Sequence, residues 1–346
     1  MLCKINPHIV RVWSVDPRRS NRQIASGEWI VIRPDPTEVD TKYVRYTFIE
    51  PNFRSQFMET VAGVGGSLMR ARPRAVAQIE VCLPPLDEQR RIVARLDALL
   101  ARSKRARAEL AGVPGLLERQ KQAVINAGTS SFLPGHEANE ASWKRVTFEE
   151  LLAKKEGAIR RGPFGSTIKK DFFVPQGYKV YEQKNAIRSD ATIGNYFIDE
   201  VKFKELEGFS VRSGDFIVSC AGTIGKIYQL PASAQGGVIN QALMRIRTDK
   251  SLVDDNFFVQ LFRSTAFQSE VLESTQGSAM QNLAAVKVIR QIPVWLPSLA
   301  EQHEIVRRIE SAFARIERAA AEAERAALLL DRLEQATLAR AFRGAL

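Results

Sequence analysis

The chain is poor in the residues that build covalent staples and metal centres. Its 346 residues include three cysteines, Cys3, Cys82 and Cys220, with no Cys-x-x-Cys pair, and three histidines, His8, His136 and His303. Thiols and imidazoles this few and this scattered indicate neither a disulfide framework nor a zinc site. Apolar runs of membrane length are missing as well, and no signal peptide opens the sequence. With 45% hydrophobic and 26% charged residues, the composition is that of a soluble protein, and the expectation is a cytoplasmic one with no membrane partner. A nucleotide loop is lacking too. Gly222-x-x-Gly225-Lys226 has two residues between its glycines where a phosphate loop has four, and Ile227 stands where a magnesium-binding Ser or Thr is needed.

Acidic residues are the other shortage. Against 39 Asp and Glu stand 50 Lys and Arg, a formal charge of +11. Such an excess favours a polyanion through counterion release, and nucleic acid is the default candidate. Cations cluster at Arg160-Arg161, at Lys169-Lys170 and from Arg102 to Arg107. The last cluster lies on the heptad helix, where a solvated face is the favoured reading. The first two flank Gly162-Pro163-Phe164-Gly165-Ser166-Thr167, a loop of glycines and small hydroxyls that either presses backbone amides against phosphate or is an ordinary turn.

What the chain does have is a long-range repeat. Leu83-Pro84-Pro85-Leu86-Asp87-Glu88-Gln89 followed by Ile92-Val93 returns 213 residues later as Leu296-Pro297-Ser298-Leu299-Ala300-Glu301-Gln302 followed by Ile305-Val306. A period of this length excludes a solenoid and points to a duplicated module of a domain plus a helix. In the second copy Ile305, Ile309, Ala312, Ile316, Ala319, Ala323, Ala326, Leu330, Leu333 and Thr337 form a heptad seam. Its first-copy counterpart is Ile92, Leu96, Leu99, Ser103, Ala106, Leu110, Val113, Leu117, Gln120 and Val124. Each seam spans on the order of 50 Å. Leu-Pro marks each start, Ser298 with Glu301 has capping-box spacing, and Asp87 is the expected cap of the first copy. Pro114-Gly115 should kink or loosen the first helix. Pairing the two helices within the chain buries both apolar stripes.

The expected fold is therefore mixed α/β, with α+β globular segments, two long coiled-coil helices and an internal pseudo-repeat. The segments are 1–82, 83–130, 131–295 and 296–346. In the larger globular segment the strand candidates are Lys179–Tyr181, Asp215–Cys220, Lys226–Leu230 and Val238–Arg247, and Phe257–Leu272 reads as one amphipathic helix. Residues 1–82 match only the latter part of that segment: Tyr43, Val44 and Phe48 echo Phe257, Phe258 and Phe262, and Gly66-Ser67 with Met69 echoes Gly277-Ser278 with Met280. Leu2–Ile5 takes the place of the strand around Val218. The expectation is a first domain without its front, through truncation, a misassigned start or completion by another chain.

The order of these elements resembles the DNA-specificity subunit of type I restriction-modification enzymes. The resemblance is carried by the Gly-Pro-Phe-Gly-Ser loop, Gly214-Asp215-Phe216-Ile217, the glycine hairpin with Lys226, Asn240-Gln241, the two Leu-Pro…Glu-Gln helices and the closing Leu338-Ala339-Arg340-Ala341-Phe342-Arg343-Gly344. It implies two target recognition domains, each reading half of a bipartite double-stranded DNA sequence, and an antiparallel helical spacer. It also implies a non-catalytic chain that recruits two methyltransferase subunits and motor-nuclease subunits, with S-adenosylmethionine, ATP and magnesium on those partners. Helix faces around Arg95, Arg102, Arg308 and Arg315 are then the expected methyltransferase docking places.

Expected DNA contacts in the second domain are Arg160, Arg161, Ser166, Thr167, Lys169, Lys170, Lys184, Asn185, Arg188, Thr223, Lys226, Gln276, Ser278, Gln281 and Asn282. Lys4, Asn6, Arg11, Ser67 and Arg70 are the first-segment counterparts. Lys and Arg suit phosphates, while Asn, Gln and some Arg suit base edges. Two enzymatic readings compete. Asn6-Pro7-His8-Ile9 lacks the second proline and the aromatic of an adenine-methyltransferase motif. Asp171 with Glu182-Gln183-Lys184 has the acidic-x-Lys spacing of a metal-dependent nuclease.

Overall fold

The computed structural model describes residues 1–15, 21, 23–63, 69–130, 143–164, 167–273 and 282–345. The chain divides into two compact units, Met1–Pro114 with Ala319–Leu346, and Gly115–Arg318. Each long helix gives one end to each unit.

The first unit contains β1 (Leu2–Cys3), β2 (Trp29–Ile30), α1 (Thr41–Ile49), α2 (Pro51–Glu59), β3 (Val61–Ala62), β4 (Arg70–Ala71) and α3 (Pro73–Val76), then the start of α4 (Leu86–Thr129). β1 pairs antiparallel with β2, and β3 with β4. α1 begins at Asp40, whose carboxylate accepts from the Lys42 and Tyr43 amides; α2 begins at Glu50, which does the same for Asn52 and Phe53. Leu2, Phe53, Phe57, Ala71 and Val76 form one small core. Tyr43, Tyr46, Ile92, Val93 and Leu96 meet Leu338 and Ala341 of the last helix in another. Further along the pair, Arg107 reaches Asp331 at 2.6 Å and Glu334 at 3.0 Å. As numbers rise on one helix they fall on the other, so within this unit the two run antiparallel.

The second unit contains β5 (Lys144–Thr147), β6 (Ile159–Arg161), β7 (Tyr178–Tyr181), α5 (Gln183–Arg188), β8 (Phe197–Ile198), α6 (Glu200–Glu205), β9 (Ser210–Val211), β10 (Phe216–Ser219), β11 (Ile227–Gln229), β12 (Gly237–Ile239) and β13 (Leu243–Ile246). Then follow α7 (Asp255–Arg263), α8 (Thr265–Val271), β14 (Leu272–Glu273), β15 (Asn282–Leu283), α9 (Val286–Gln291), β16 (Pro293–Leu296) and the last helix, α10 (Leu299–Ala341). Two four-stranded sheets organise it, in the orders β11-β10-β13-β6 and β8-β7-β12-β9; β12 and β7 are parallel and the other pairs antiparallel. Alternation sends Phe216, Val218, Met244 and Ile246 to a large core under α7, α8 and α9, shared with Ile305, Val306 and Ile309 of α10. Ile217 and Leu243 face the other way, toward Tyr181, Val211 and Ile239 of the second sheet. Gly128 of α4 lies where a Cβ would come within 2.8 Å of Ile309, so a residue without a side chain lets the helices close here.

The structure corrects several expectations. Val238–Arg247 is two strands, because the Asn240 side chain accepts from the Ala242 amide at 3.0 Å and turns the chain. Phe257–Leu272 is two helices, because Ser264 leaves helical backbone and its hydroxyl caps the Phe267 amide. Asp87 lies inside the first turn of α4, paired with Arg90, and does not cap it. Helical assignment runs through Pro114, where the two units meet in sequence. The seam is buried near its ends, at Ile92, Leu96, Ser103, Ile305, Ile309 and Ile316, but Leu333 is 57% exposed. The alanine-rich middle has little apolar area with which to close. Ser298 with Glu301 does form the capping box, with the Ser298 amide donating to the Glu301 carboxylate at 2.9 Å.

The repeat extends beyond the sequence match. Gln89 is fully buried: its carbonyl accepts from the Asp40 amide at 2.9 Å, and its NH₂ donates to the Glu38 and Pro84 carbonyls at 2.9 and 2.7 Å. Gln302, also fully buried, accepts from Asp254 at 2.7 Å and donates to Leu252 and Pro297 at 3.0 and 2.9 Å. In both units the glutamine of Glu-Gln ties a long helix to the capping residue of a shorter one.

Candidate nucleic-acid interface

Strand direction decides where the second unit presents its loops. Arg161↔Met244 and Ser219↔Leu243 set the ends of β6 and β10 beside the start of β13, and Val218↔Ile227 adds the start of β11. β7 and β12 run parallel and end at Tyr181 and Ile239, and the Asn240 amide donates to the Tyr181 carbonyl at 3.0 Å. The segments after Arg161, Tyr181, Ser219 and Ile239 therefore leave the two sheets at one rim. Three of them carry expected contact residues. The fourth, Asn240 to Ala242, carries none of them and places exposed Gln241 on the rim.

Each expected residue has a definite place. Arg160 and Arg161 are strand neighbours and so point to opposite faces, Arg160 in a row with Arg245 and Ile217, Arg161 in a row with Met244 and Val218. They do not act as one cluster. Arg160 donates to the Gly208 carbonyl at 3.1 Å and lies 5.1 Å over the Phe209 ring. Arg161 is half-buried, and its charge draws down the thiol of Cys220, although burial dominates and pushes that thiol up to about 12. Gly162 leaves the strand where a Cβ would stand 1.9 Å from the Asn240 carbonyl, so only glycine fits. The Thr167 hydroxyl donates to the Phe164 carbonyl at 2.7 Å. Lys169 and Lys170 are exposed, between Ile168 and Phe173, which pack on the outer face of the second sheet.

Lys184 pairs with Glu182 at 2.7 Å, which removes much of its charge from the rim. Arg188, in the last turn of α5, is exposed, as are Thr223 and Lys226 in the hairpin between β10 and β11. Among the described residues no carboxylate pairs with Arg188 or Lys226. Ser189, Lys226 and Arg263 line one cavity of about 370 Å³, so α5 and the hairpin are neighbours.

Asn185 must be reassigned. It is fully buried; its carbonyl accepts from the Glu182 amide at 2.8 Å and its NH₂ donates to the Asp190 and Ile193 carbonyls at 2.9 and 2.8 Å. An amide with its bonds committed in this way braces the turn after α5 and has nothing left for a base. Buried Lys179 supports the same turn by donating to the Thr192 and Gly194 carbonyls at 3.0 and 3.3 Å, and burial lowers its pKa. Arg245, buried behind Arg160, is held down to about 10 by burial and by the charge of Arg247; Arg247 in turn grips Asp215 with two bonds of 2.8 Å.

In the first unit Lys4 and Asn6 are half-buried and Arg11 is exposed. Asn6 adopts a left-handed conformation, with φ of 47°. Arg70 is bound to Glu28 at 3.1 Å and is not a free cation. Ser67, Ser166, Gln276, Ser278 and Gln281 lie outside the described residues, and of Asn282 only the backbone, in β15, is described. Nothing in the structure favours the nuclease set. Glu182 is engaged by Lys184, Asp171 is exposed on a separate turn, and among the described residues no three His, Cys, Asp or Glu side chains are grouped to hold a metal ion.

Comparison with known proteins agrees with this architecture. Residues 158–324, which include the whole rim, match the type I restriction modification DNA specificity domain. The chain is 26% identical over 316 residues to the type I restriction enzyme StySPI specificity subunit of Salmonella potsdam, covering 86% of this chain and 66% of that one. It is 24% identical over 293 residues to the EcoKI specificity subunit of Escherichia coli strain K12, covering 82% and 61%. It thus spans less than two thirds of the length of these curated relatives. Among solved structures, a chain from work on complex assembly and conformational transition of the type I R-M system superposes with a TM-score of 0.69 at 20% identity, covering 100% of this chain and 81% of that one. The HsdS subunit from Thermoanaerobacter tengcongensis gives 0.53 at 23%, covering 89% and 71%. At such identities these two speak for the fold. Residues 158–324 thus match the type I restriction modification DNA specificity domain, and the chain as a whole is similar to type I restriction enzyme specificity subunits.

Proposed function

We propose that the chain is the DNA-sequence-recognition subunit of a type I restriction-modification complex and is not itself catalytic. The observation that carries this reading is the convergence of four loops on one rim of the second unit, with Arg188 and Lys226 free of carboxylates, inside the stretch that matches the specificity domain. Lys226, Arg188, Lys169 and Lys170 hold phosphates, and Thr223, Gln241 and Arg160 face base edges. Arg160 reaches them by giving up its bond to Gly208. The first unit reads the other half of a bipartite target through Lys4, Asn6 and Arg11. Two methyltransferase subunits dock on the long helices near Arg95, Arg102, Arg308 and Arg315, and motor-nuclease subunits join them; S-adenosylmethionine, ATP and magnesium belong to those partners. The complex works in the cytoplasm. Among the described residues no helix is long and apolar enough to cross a membrane.

Selection of duplexes from a randomised pool by the purified full chain tests the reading. A split motif with a fixed gap is the expected result, and recovery of no motif overturns it. On the selected duplex, Arg188→Ala and Lys226→Ala should each lower the slope of log affinity against log salt by about one unit.

A further inference from the structure

We infer that the ring of Phe164 enters the DNA as a wedge at one base step, so that part of this chain's sequence choice is read from how readily that step unstacks. The inference rests on the proposed function and deepens it.

Phe164 is 75% exposed, more than any other aromatic side chain among the described residues. The other exposed rings of its sheet region are covered: Lys202 sits 4.1 Å over Phe172, and Tyr196 stacks on Phe173 at 4.5 Å with Lys184 5.7 Å away. Among the described residues no ring or cation packs on Phe164. A single exposed apolar residue is common and by itself means little. Two further observations distinguish this one.

The first is the company it keeps. From Ala158 to Lys170 the chain carries Arg160, Arg161, Lys169 and Lys170 and not one carboxylate. An apolar ring amid uncompensated cations fits a ligand that offers phosphates and π-faces together, which is nucleic acid. The second is the mounting. The Gly162 amide donates to the Leu243 carbonyl at 2.8 Å, Gly162 lies against Asn240 with no room for a Cβ, Pro163 is buried with its φ fixed by the ring, and the Phe164 carbonyl accepts from Thr167. The ring stands on a braced stalk at the rim, and rigidity of this kind lowers the entropic cost of binding. Phosphate contacts then set the register, and the wedge adds indirect readout, favouring steps such as TA or CA that unstack cheaply.

The probe is the duplex selected by the wild-type full chain, labelled at both ends for energy transfer. Wild-type binding should raise the transfer by bending the duplex. Phe164→Ala should bind about ten- to a hundredfold more weakly, the range an aromatic stacked on a base is worth, with the bend lost and the salt slope unchanged. Phe164→Leu, still able to wedge, should keep most of the affinity and the bend, which separates wedging from any effect on the fold. Wild-type affinity and bend in Phe164→Ala overturns the wedge alone. Failure of the wild-type chain to select any duplex overturns the recognition reading, and the wedge with it.

Discussion

Replacing Gln302 with alanine should loosen the second unit where α10 meets α7. The side chain is fully buried and satisfies three backbone groups, the Asp254 amide and the Leu252 and Pro297 carbonyls, at 2.7 to 3.0 Å. An orphaned buried donor or acceptor costs about 1–3 kcal/mol. A water admitted to the vacated space recovers part of that, and the net loss should be about 3 kcal/mol. The effect reaches further than the three bonds. Asp254 caps α7, which carries Phe257, Phe258, Leu261 and Phe262 into the core. Gln302→Glu makes a sharper test. It keeps the shape but sets an oxygen where the NH₂ faced two carbonyls, so the carboxyl pKa must rise. A raised pKa means stability that is present at low pH and lost as pH climbs through it, so Gln302→Glu should be more destabilised at pH 8 than at pH 5. Urea unfolding followed through Trp143 and Trp295, with Trp13 and Trp29 replaced by phenylalanine, reports on this unit alone. A loss below about 1 kcal/mol for the alanine variant, or no pH difference for the glutamate variant, would refute the bracket.

Gln89→Ala should cost the first unit a similar amount, followed through Trp13 and Trp29, because its three bonds have the same partners by position. Asn185→Ala should cost about 2–4 kcal/mol by the same bookkeeping, while leaving the salt slope of DNA binding unchanged, since its amide never reaches the rim; a changed slope with normal stability would restore it to the interface. Cys220, whose thiol burial pushes up to about 12, should resist iodoacetamide at pH 8, where only about one part in ten thousand is thiolate. Exposed Cys82 should be modified first, and mass spectrometry of the labelled peptides decides the order.

The long helices, their capping box at Ser298 and the mixed sheets were legible because each rests on a local pattern: heptad spacing, a Ser-x-x-Glu cap, and β-branched runs bounded by glycine. Errors arose where a polar side chain breaks a pattern from within. Asn240 and Ser264 each end an apolar run through one hydrogen bond to a neighbouring amide, which hydrophobic periodicity does not register. The site was legible as a set of loops and much less so as a set of contacts. Arg160-Arg161 looks like a doubled charge in the sequence, yet strand alternation divides it between two faces. Asn185 and Lys184 look like a reading pair, yet the one is spent on Asp190 and Ile193 and the other on Glu182. Phe164 could have been found, because a phenylalanine between a proline and a glycine has no helical or strand neighbours to pack against.

The two copies also explain why the strongest sequence signal is not the functional one. Gln89 and Gln302 recur because each must meet an amide and two carbonyls at a fixed place, and Asp40 and Asp254 recur because each must begin a helix there. One geometry admits few residues, so the joint reads clearly in both copies. The rim is under no such constraint. Its backbone is held by Gly162, Lys179, Asn185 and Asn240, and the side chains that face outward have no such structural duty. On the proposed function, changing the target therefore means changing Arg160, Thr223 or Gln241, with the phosphate-holding Arg188 and Lys226 and the four bracing residues left alone.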